Sequence, residues 1–294
     1  MTKTYQLEKV VCNFCGSADS KPFIPRLRVV RCKGCGLVHT NERLPLEALR
    51  EIYSKDYFTS AVSKDLGYDD YEANRVEIKR TFIKRLQMLE RIRNGVKGNT
   101  IDVGCAMGFF VDTAQQSGWQ AEGIDISGYC VNYGKSQGLK LSESTVQELN
   151  GLPESYDLIT MWDYIEHSPT PKEDLKKAFQ LLKKNGVLAL ATPDIASLPA
   201  KIFKENWMGF KEHEHLFYFS GKVLKKALKE IGFEIVREQY VGKYVSLEFF
   251  ARRIGLYFPV ISKWLRFLIK KNWISNFQFY CNPWDITLIV ARKK

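Results

Sequence analysis

The chain has 294 residues, of which 45% are hydrophobic and 13% aromatic, a composition that suits one α/β domain with appendages. It contains no uncharged apolar run of about 18 residues and no apolar segment after its first charges, so the sequence predicts neither a transmembrane helix nor a secretory signal. The expected compartment is therefore the cytoplasm. The net charge is +11, and most of it lies between Arg252 and Lys294, where Asp285 is the single acid. Because the rest is nearly balanced, no long basic groove for nucleic acid is evident.

The seven cysteines include two copies of Cys-x-x-Cys-Gly, at 12–16 and 32–36. In a reducing compartment this pattern is typical of metal binding rather than of disulfides. The spacing is that of a zinc ribbon, in which four thiolates close a tetrahedral site that supports folding. We expect a zinc-ribbon module over residues 1–43. Its predicted ligands of structural zinc are Cys12, Cys15, Cys32 and Cys35.

Residues 44–98 are predicted to form a helical connector and lid. Pro45 begins a short helix that runs to Tyr53. Apolar residues at three- and four-residue spacing predict a longer helix from Tyr68 to Arg93. Four aromatic residues of this segment either close over a ligand or belong to the core. They are Tyr57, Phe58, Tyr68 and Tyr71.

Over residues 99–294, short apolar strands alternate with amphipathic helices, which is typical of a doubly wound α/β sheet with helices on both faces. The predicted strands are Thr100–Val103, Ala121–Asp125, Leu158–Met161, Val187–Thr192, Phe233–Val236 and Ile286–Ala291. The predicted helices are Phe109–Ser117, Gly128–Gln137, Lys172–Lys184 and Gly221–Ile231.

A glycine-containing turn, residues 104–108, joins the first of these strands to a helix. Such a turn lets a ligand approach the backbone beside a helix N-terminus. Asp102 stands just before the turn, where it can accept a hydrogen bond from an ammonium group, and Asp125 ends the next strand, where it can bind a ribose diol. The spacing is not the Gly-x-Gly-x-x-Gly of dinucleotide sites. The structural alternatives are that Asp102 caps the turn and that Asp125 caps the following helix.

These residues resemble motif I of the class I S-adenosylmethionine-dependent methyltransferases, acid-x-Gly-x-Gly-x-Gly, with Ala106 at the middle glycine. The resemblance implies a Rossmann-like, mostly parallel sheet of seven strands and S-adenosylmethionine as the methyl donor. It also implies an adenine-side loop near Thr145, although the usual Asp of that loop is absent. The donor-binding residues that the resemblance implies are Asp102, Gly104, Cys105, Ala106, Gly108, Phe109, Asp125, Ile126, Thr145, Val146, Met161 and Trp162.

Three of the four histidines follow predicted strands, which is where ligands bind in open α/β sheets. An imidazole can remove the proton of a methyl acceptor, so His167, His213 and His215 are the candidate catalytic residues. For His167, which follows Glu166, a structural role is the alternative. His213 and His215 could also share a metal ion, but the sequence shows no further ligand for it.

Residues 259–271 are predicted to form a basic amphipathic helix inside an insertion at about 250–280. Trp264 lies on the apolar face and Lys263 on the basic one. One interpretation is peripheral contact with an anionic membrane at its inner face, which would suit a lipid-linked glycan. The other is a helix that covers the sheet or contacts a second copy, and the oligomeric state stays open.

The leading functional hypothesis is methyl transfer to a small-molecule acceptor, with a sugar, glycan or secondary-metabolite hydroxyl preferred. Chains that join a zinc ribbon to a methyltransferase domain resemble enzymes of surface-polysaccharide and secondary-metabolite pathways. A zinc-ribbon RNA methyltransferase is the second hypothesis. It is disfavoured but open, because residues 163–166 lack the Asn/Asp-Pro-Pro-Tyr typical of base methylation. The third is a donor-binding interaction protein without catalysis.

Overall fold

The computed structural model describes residues 6–45, 71–149, 153–211, 214–272 and 277–294. The short helix predicted after Pro45 lies outside the described residues, as do Tyr57, Phe58, Tyr68 and His213.

The N-terminal module is a small β structure. Its strands are β1 (Glu8–Lys9), β2 (Ser20–Ile24), β3 (Val29–Cys32), β4 (Val38–Thr40) and β5 (Glu42–Arg43). Strands β2, β3 and β4 pair antiparallel, and the fourth strand of their sheet is β11 (Phe217–Tyr218), which comes from the larger domain. The module is therefore joined to that domain by a shared sheet.

The larger domain is built on a seven-stranded sheet. Its strands are β6 (Asn99–Val103), β7 (Gln120–Asp125), β8 (Leu141–Glu143), β9 (Tyr156–Trp162), β10 (Leu182–Pro193), β12 (Phe233–Tyr240) and β15 (Ile286–Lys293), in the order β12-β15-β10-β9-β6-β7-β8. Strand β15 runs antiparallel to both of its neighbours, whereas the ladders from β10 to β8 are parallel. The predicted mostly parallel, Rossmann-like sheet of seven strands is thus confirmed.

Helices cover both faces of this sheet. They are α1 (Arg75–Ile92), α2 (Phe109–Gln116), α3 (Gly128–Ser136), α4 (Pro171–Leu181), α5 (Leu198–Phe203), α6 (Gly221–Ile231), α7 (Leu247–Ile254) and α8 (Pro259–Asn272). The helix predicted to run to Lys184 ends at Leu181, because Leu182 is already extended, with ψ 137°, and pairs with Tyr156 of β9. No described helix is long and apolar enough to cross a membrane.

A smaller layer closes one end of the sheet. Strands β13 (Lys243–Ser246) and β14 (Gln278–Cys281) pair antiparallel, and α7 and α8 lie between them in the chain. This layer is fastened to α1, because the amide of Tyr244 donates to Thr81 Oγ1 at 2.8 Å and the Arg80 guanidinium lies 4.2 Å from the Tyr244 ring centroid. The strand pair that flanks the predicted basic insertion therefore lies against the helix that precedes the sheet.

Candidate active site

Asp102 is buried in β6, with 3% of its surface exposed. Thr160 of the adjacent strand β9 donates from Oγ1 to Asp102 Oδ1 at 2.6 Å. Burial raises the pKa of Asp102 to about 8, against the opposing effects of the Thr160 hydrogen bond and of the Arg85 charge. A cation placed beside this carboxyl would stabilise its ionised form, which is the property that a site for an ammonium group needs.

The loop after Asp102 is held in a left-handed backbone conformation. Gly104, Ala106 and Gly108 have φ of +74°, +46° and +80°. Glycine adopts these angles without strain, whereas the alanine costs about 1 kcal/mol. The departure from the family motif at Ala106 is therefore a small cost in stability that leaves the loop conformation in place.

Asp125 fastens this loop to the next helix. Its Oδ2 accepts a hydrogen bond from the Ala106 amide at 2.8 Å, and its Oδ1 accepts one from the Ser127 amide at 2.9 Å. The N-cap of the following helix is Ser127, whose hydroxyl accepts from the amide of Cys130. The structure thus brings Asp102, the loop and Asp125 to one edge of the sheet, and ribose binding by Asp125 stays a prediction.

The predicted adenine-side loop follows β8 at the same edge. Thr145 and Glu148 form a reciprocal pair, in which each amide donates to the side chain of the other, at 2.8 and 3.3 Å. Val146 is fully buried between them. The amide of Ser144 donates to the carbonyl of Asp125 at 3.0 Å, so this loop is tied to the residue predicted to bind ribose.

Side chains from the region of α1 contact two further predicted residues, Phe109 and Trp162. The Tyr71 ring stacks on Phe109, with ring centroids 5.2 Å apart and planes 4° from parallel. The Arg85 guanidinium lies 4.9 Å from the Trp162 ring centroid. Met161 is completely buried in β9. Arg85 was not predicted, although it falls at helical spacing with the buried Phe82 and Leu89.

A cavity of about 450 Å³ opens beyond the carboxyl ends of β9 and β10, where acceptor binding was expected. Its wall is mostly apolar and combines residues from α1, from the strand exits and from the β13–β14 layer. Aromatic residues of the wall include Phe82, Trp162, Trp207, Tyr244, Phe249 and Tyr257. Its charged residues include Asp163, Glu166, Lys211, Lys243 and Asp285.

His167 and His215 meet at this cavity, with ring centroids 4.6 Å apart and planes nearly perpendicular. The Nδ1 of His167 donates to the carbonyl of Glu214 at 3.0 Å, and that of His215 donates to the carbonyl of Gly209 at 2.8 Å. In both rings Nε2 is therefore the basic nitrogen. Burial lowers the pKa of His167 to about 3 and lowers the pKa of His215 well below its ordinary value, so both rings are neutral at pH 7.

Glu166 lies beside the two histidines and is 1% exposed. Its Oε2 accepts from Thr192 Oγ1 at 2.8 Å, whereas Oε1 has no hydrogen-bond partner among the described residues. Burial raises the pKa of Glu166 to about 8, and the negative charge of Asp163 adds to the rise. Glu166 was not predicted as a site residue, and its place next to His167 in the sequence was the available signal.

The N-terminal module fixes the segment that carries His215. The Thr40 amide donates to the carbonyl of Leu216 at 3.0 Å, and Thr40 Oγ1 donates to the carbonyl of His215 at 3.3 Å. A second contact joins the module to α4, where Lys172 Nζ donates to the carbonyl of Phe14 at 2.6 Å. The cysteine module is therefore part of the scaffold of the cavity.

Four cysteine sulfurs of the module lie within 4.8 Å of one another. The Sγ atoms of Cys12 and Cys35 are 3.4 Å apart, as are those of Cys15 and Cys32. A tetrahedral zinc site with Zn–S bonds of about 2.3 Å requires sulfurs about 3.8 Å apart. The four thiols therefore fit the predicted zinc site in number, chemistry and spacing.

The sheet order, the antiparallel β15 and the acid-flanked loop after β6 define a class I S-adenosylmethionine-dependent methyltransferase fold. A family model described as "Methyltransferase domain" matches residues 72–238. The chain belongs to this family and is an S-adenosylmethionine-dependent methyltransferase.

Known proteins resemble parts of the chain. It is 28% identical over 125 residues to the ubiquinone biosynthesis O-methyltransferase of Pasteurella multocida, an alignment that covers 37% of this chain and 52% of that protein. The chain thus spans about half the length of this curated relative. A methyltransferase structure from Archaeoglobus fulgidus matches 76% of this chain and 100% of its own, with a TM-score of 0.52 and 19% identity. A possible histamine N-methyltransferase from Thermotoga maritima matches 76% of this chain and 95% of its own, with a TM-score of 0.51 and 19% identity. Both structures share the fold.

Proposed function

We propose that this enzyme methylates a hydroxyl group of a small, largely apolar molecule bound in the cavity beyond β9 and β10. The observation that carries the proposal is the aromatic wall of a cavity of about 450 Å³ with two neutral imidazoles, His167 and His215, on its surface. Similarity to an O-methyltransferase agrees with an oxygen acceptor. Among the acceptors considered, a secondary-metabolite hydroxyl suits an aromatic wall better than a bare sugar, which needs polar partners around its ring.

In this proposal the donor lies along the loop after β6. Asp102 binds the ammonium group of the donor. The support for this role is that its carboxyl is buried, so that a nearby cation would stabilise the ionised form. Asp125 holds the loop and faces the ribose. S-adenosylmethionine supplies an electrophilic methyl group when it is bound. The chain's own contribution is to align the acceptor oxygen and to exclude water.

The histidines act on the acceptor hydroxyl. Each Nδ1 is engaged by a backbone carbonyl, so Nε2 of His167 and of His215 can accept a hydrogen bond from a hydroxyl in the cavity. His213 stays in the proposal only as a sequence prediction. The zinc-ribbon module, with zinc held by its four cysteines, contributes by positioning the His215 segment through Thr40.

We also propose that α8 rests on an anionic membrane at its inner face, as part of a cytoplasmic enzyme. The helix exposes Val260 by 80%, Trp264 by 62% and Phe267 by 64%, with Lys263 and Arg266 exposed on the same helix. Exposed apolar side chains between cations match the chemistry of an anionic membrane surface. A docked membrane would bring an apolar acceptor close to the cavity, which is also lined by Phe249 of the neighbouring helix α7.

The test uses purified, zinc-loaded protein and S-adenosylmethionine labelled in its methyl group. The acceptor panel contains phenolic and other apolar hydroxyl compounds, nucleotide sugars, lipid-linked glycans and RNA. We expect label in an apolar hydroxyl compound, and expect His215→Asn to lower kcat while donor affinity is kept. Label in nucleotide sugars would shift the acceptor class to glycans, and label in RNA alone would refute the proposal.

A further inference from the structure

Three side chains at the cavity hold possible metal-ligand atoms close to one another. The carboxylate of Glu166 and the ring nitrogens of His167 and His215 include one atom each, all within 4.8 Å of one another. The three residues come from two places in the chain, the exit of β9 and the segment before β11. All three also line the cavity, so a group bound between them would face an acceptor.

The surroundings orient these atoms as metal ligands are oriented. The hydrogen bond from each Nδ1 to a backbone carbonyl fixes the ring and its tautomer, leaving Nε2 as a lone-pair donor, for His167 through Glu214 and for His215 through Gly209. This is the usual outer arrangement of metal-bound histidine. Thr192 holds one oxygen of Glu166, and the other, Oε1, is buried without a hydrogen-bond partner in the described part of the chain. A buried orphan oxygen is costly unless something binds it.

Charges around the three residues include both signs. Lys211, whose positive charge acts on Glu166 and on both histidines, lies 3.4 Å from Glu214 Oε2, which offsets its charge. Asp163 adds a negative charge and lies 3.9 Å from Lys243. Lys211 and Lys243, which would repel a bound metal ion, are thus each paired with an acid. The carboxylate of Glu166 faces the two imidazoles.

We propose that Glu166, His167 and His215 bind a divalent transition-metal ion, of which Zn²⁺ and Co²⁺ are the probes, with the open coordination positions facing the cavity. Two imidazoles and one carboxylate are a ligand set used by catalytic metal sites that keep positions open. Binding of the ion does not depend on the proposed function, but its role does. With the ion bound, both Nε2 atoms are its ligands, so the acceptor hydroxyl is held through the ion rather than by direct hydrogen bonds to the imidazoles, and the ion lowers the pKa of that hydroxyl. The hydroxyl proton passes to water, the oxygen–methyl bond forms as the sulfur–methyl bond breaks, and S-adenosylhomocysteine leaves.

The test counts metal ions, because the four cysteines bind one ion independently. Protein freed of metal is reloaded with one equivalent of Zn²⁺, dialysed against excess Co²⁺ and analysed for total metal per chain. We expect two ions in the wild type and one in His215→Asn. Asparagine keeps a donor for the carbonyl of Gly209 and lacks the Nε2 ligand. His39→Asn is the matched control, since the buried His39 also bonds a backbone carbonyl, that of Thr40, at 3.2 Å, and it should still bind two ions.

Glu166→Gln supplies a second variant that keeps an acceptor for Thr192. The affinity of this variant for Co²⁺ should fall by more than the roughly 10- to 100-fold that loss of an outer hydrogen bond costs a metal site. Thermal unfolding of each variant at matched zinc content verifies folding. One ion per chain in the wild type, or two in all four proteins, overturns the proposal.

Failure of the metal site and failure of the proposed function are separable. If the wild type holds a single ion per chain and still methylates an apolar hydroxyl, the metal site is refuted and the proposed function is kept. Two ions per chain with label in RNA alone would refute the acceptor assignment and keep the metal site.

Discussion

Replacement of Asp102 by asparagine separates the stability of the fold from binding of the donor. Asparagine keeps an oxygen that accepts from Thr160 Oγ1, so the buried hydrogen bond at 2.6 Å survives. The wild-type carboxyl has a pKa of about 8 in the folded chain, where burial holds it neutral. The unfolded chain has the ordinary Asp value of about 4.

The sign follows from proton binding. Between pH 4 and 8 the folded state holds a proton that the unfolded state has lost, so the wild type loses stability as pH rises through this window. Each pH unit costs about 1.4 kcal/mol, and the penalty that asparagine avoids is on the order of 4 kcal/mol at pH 7. We therefore expect Asp102→Asn to raise the free energy of unfolding at pH 7 and to change it little at pH 4.

The same substitution should weaken ligand binding although it raises stability. Loss of a charge-assisted hydrogen bond to the ammonium group costs about 1.5–3 kcal/mol, which weakens S-adenosylhomocysteine binding by roughly 10- to 150-fold. In the wild type this binding should release a proton near pH 7, because the ligand cation stabilises ionised Asp102. Calorimetry in buffers of different ionisation enthalpy measures both quantities, and urea unfolding at pH 4 and pH 7 measures stability.

Asp157→Asn is the matched control on the same sheet. Lys183 donates to Asp157 at 2.7 Å, and the pKa of Asp157 is lowered, because Lys183, the Asn99 amide and Arg93 outweigh the effect of burial. This variant should lose stability above pH 4 and bind S-adenosylhomocysteine normally. Equal stability of Asp102→Asn and wild type at pH 7, together with unchanged affinity, would refute the assigned role of Asp102.

Three further predictions concern the loop, the cysteine module and α8. Gly104→Ala should destabilise the protein by about 1–3 kcal/mol, because φ is +74° and an added Cβ would lie 2.6 Å from Tyr164 Cδ2. An unchanged midpoint of urea unfolding would contradict this. Cys12→Ser should lose zinc and lower kcat by loosening the His215 segment, whereas full activity without bound zinc would rule out that coupling. Trp264→Glu should abolish binding to anionic vesicles and leave methylation of a water-soluble acceptor intact. The membrane assignment fails if vesicle binding persists, or if sedimentation shows that the substitution instead splits a dimer.

Six of the seven strands of this sheet were predictable from the sequence, because most of them are short, apolar and separated by turn residues, whereas β8 was not predicted. The ends of the individual strands were less predictable. The predicted strand Phe233–Val236 extends to Tyr240, since pairing with β15 continues along residues whose own pattern is polar and exposed. Neighbouring strands supply the hydrogen bonds there, and a single-chain pattern does not reveal them.

The site was predictable where chemistry is local and not where it is assembled. Asp102 and its loop are contiguous, so their spacing alone indicated a donor site. The meeting of His167 with His215 depends on Thr40 and β11, which tie distant segments together, and the sequence instead paired His215 with His213. Arg85 is one of six Lys/Arg residues in α1, and the other five are all at least partly exposed. Burial distinguishes it, and burial is a property of the fold.

The most direct test of the central claim is a crystal structure of zinc-loaded protein with S-adenosylhomocysteine. We expect the ligand along the 104–108 loop, with its ammonium group within hydrogen-bonding distance of Asp102 and its ribose at Asp125. Its sulfur should be directed to the cavity that holds His167 and His215. A ligand bound elsewhere, or one whose sulfur points away from that cavity, would contradict the account.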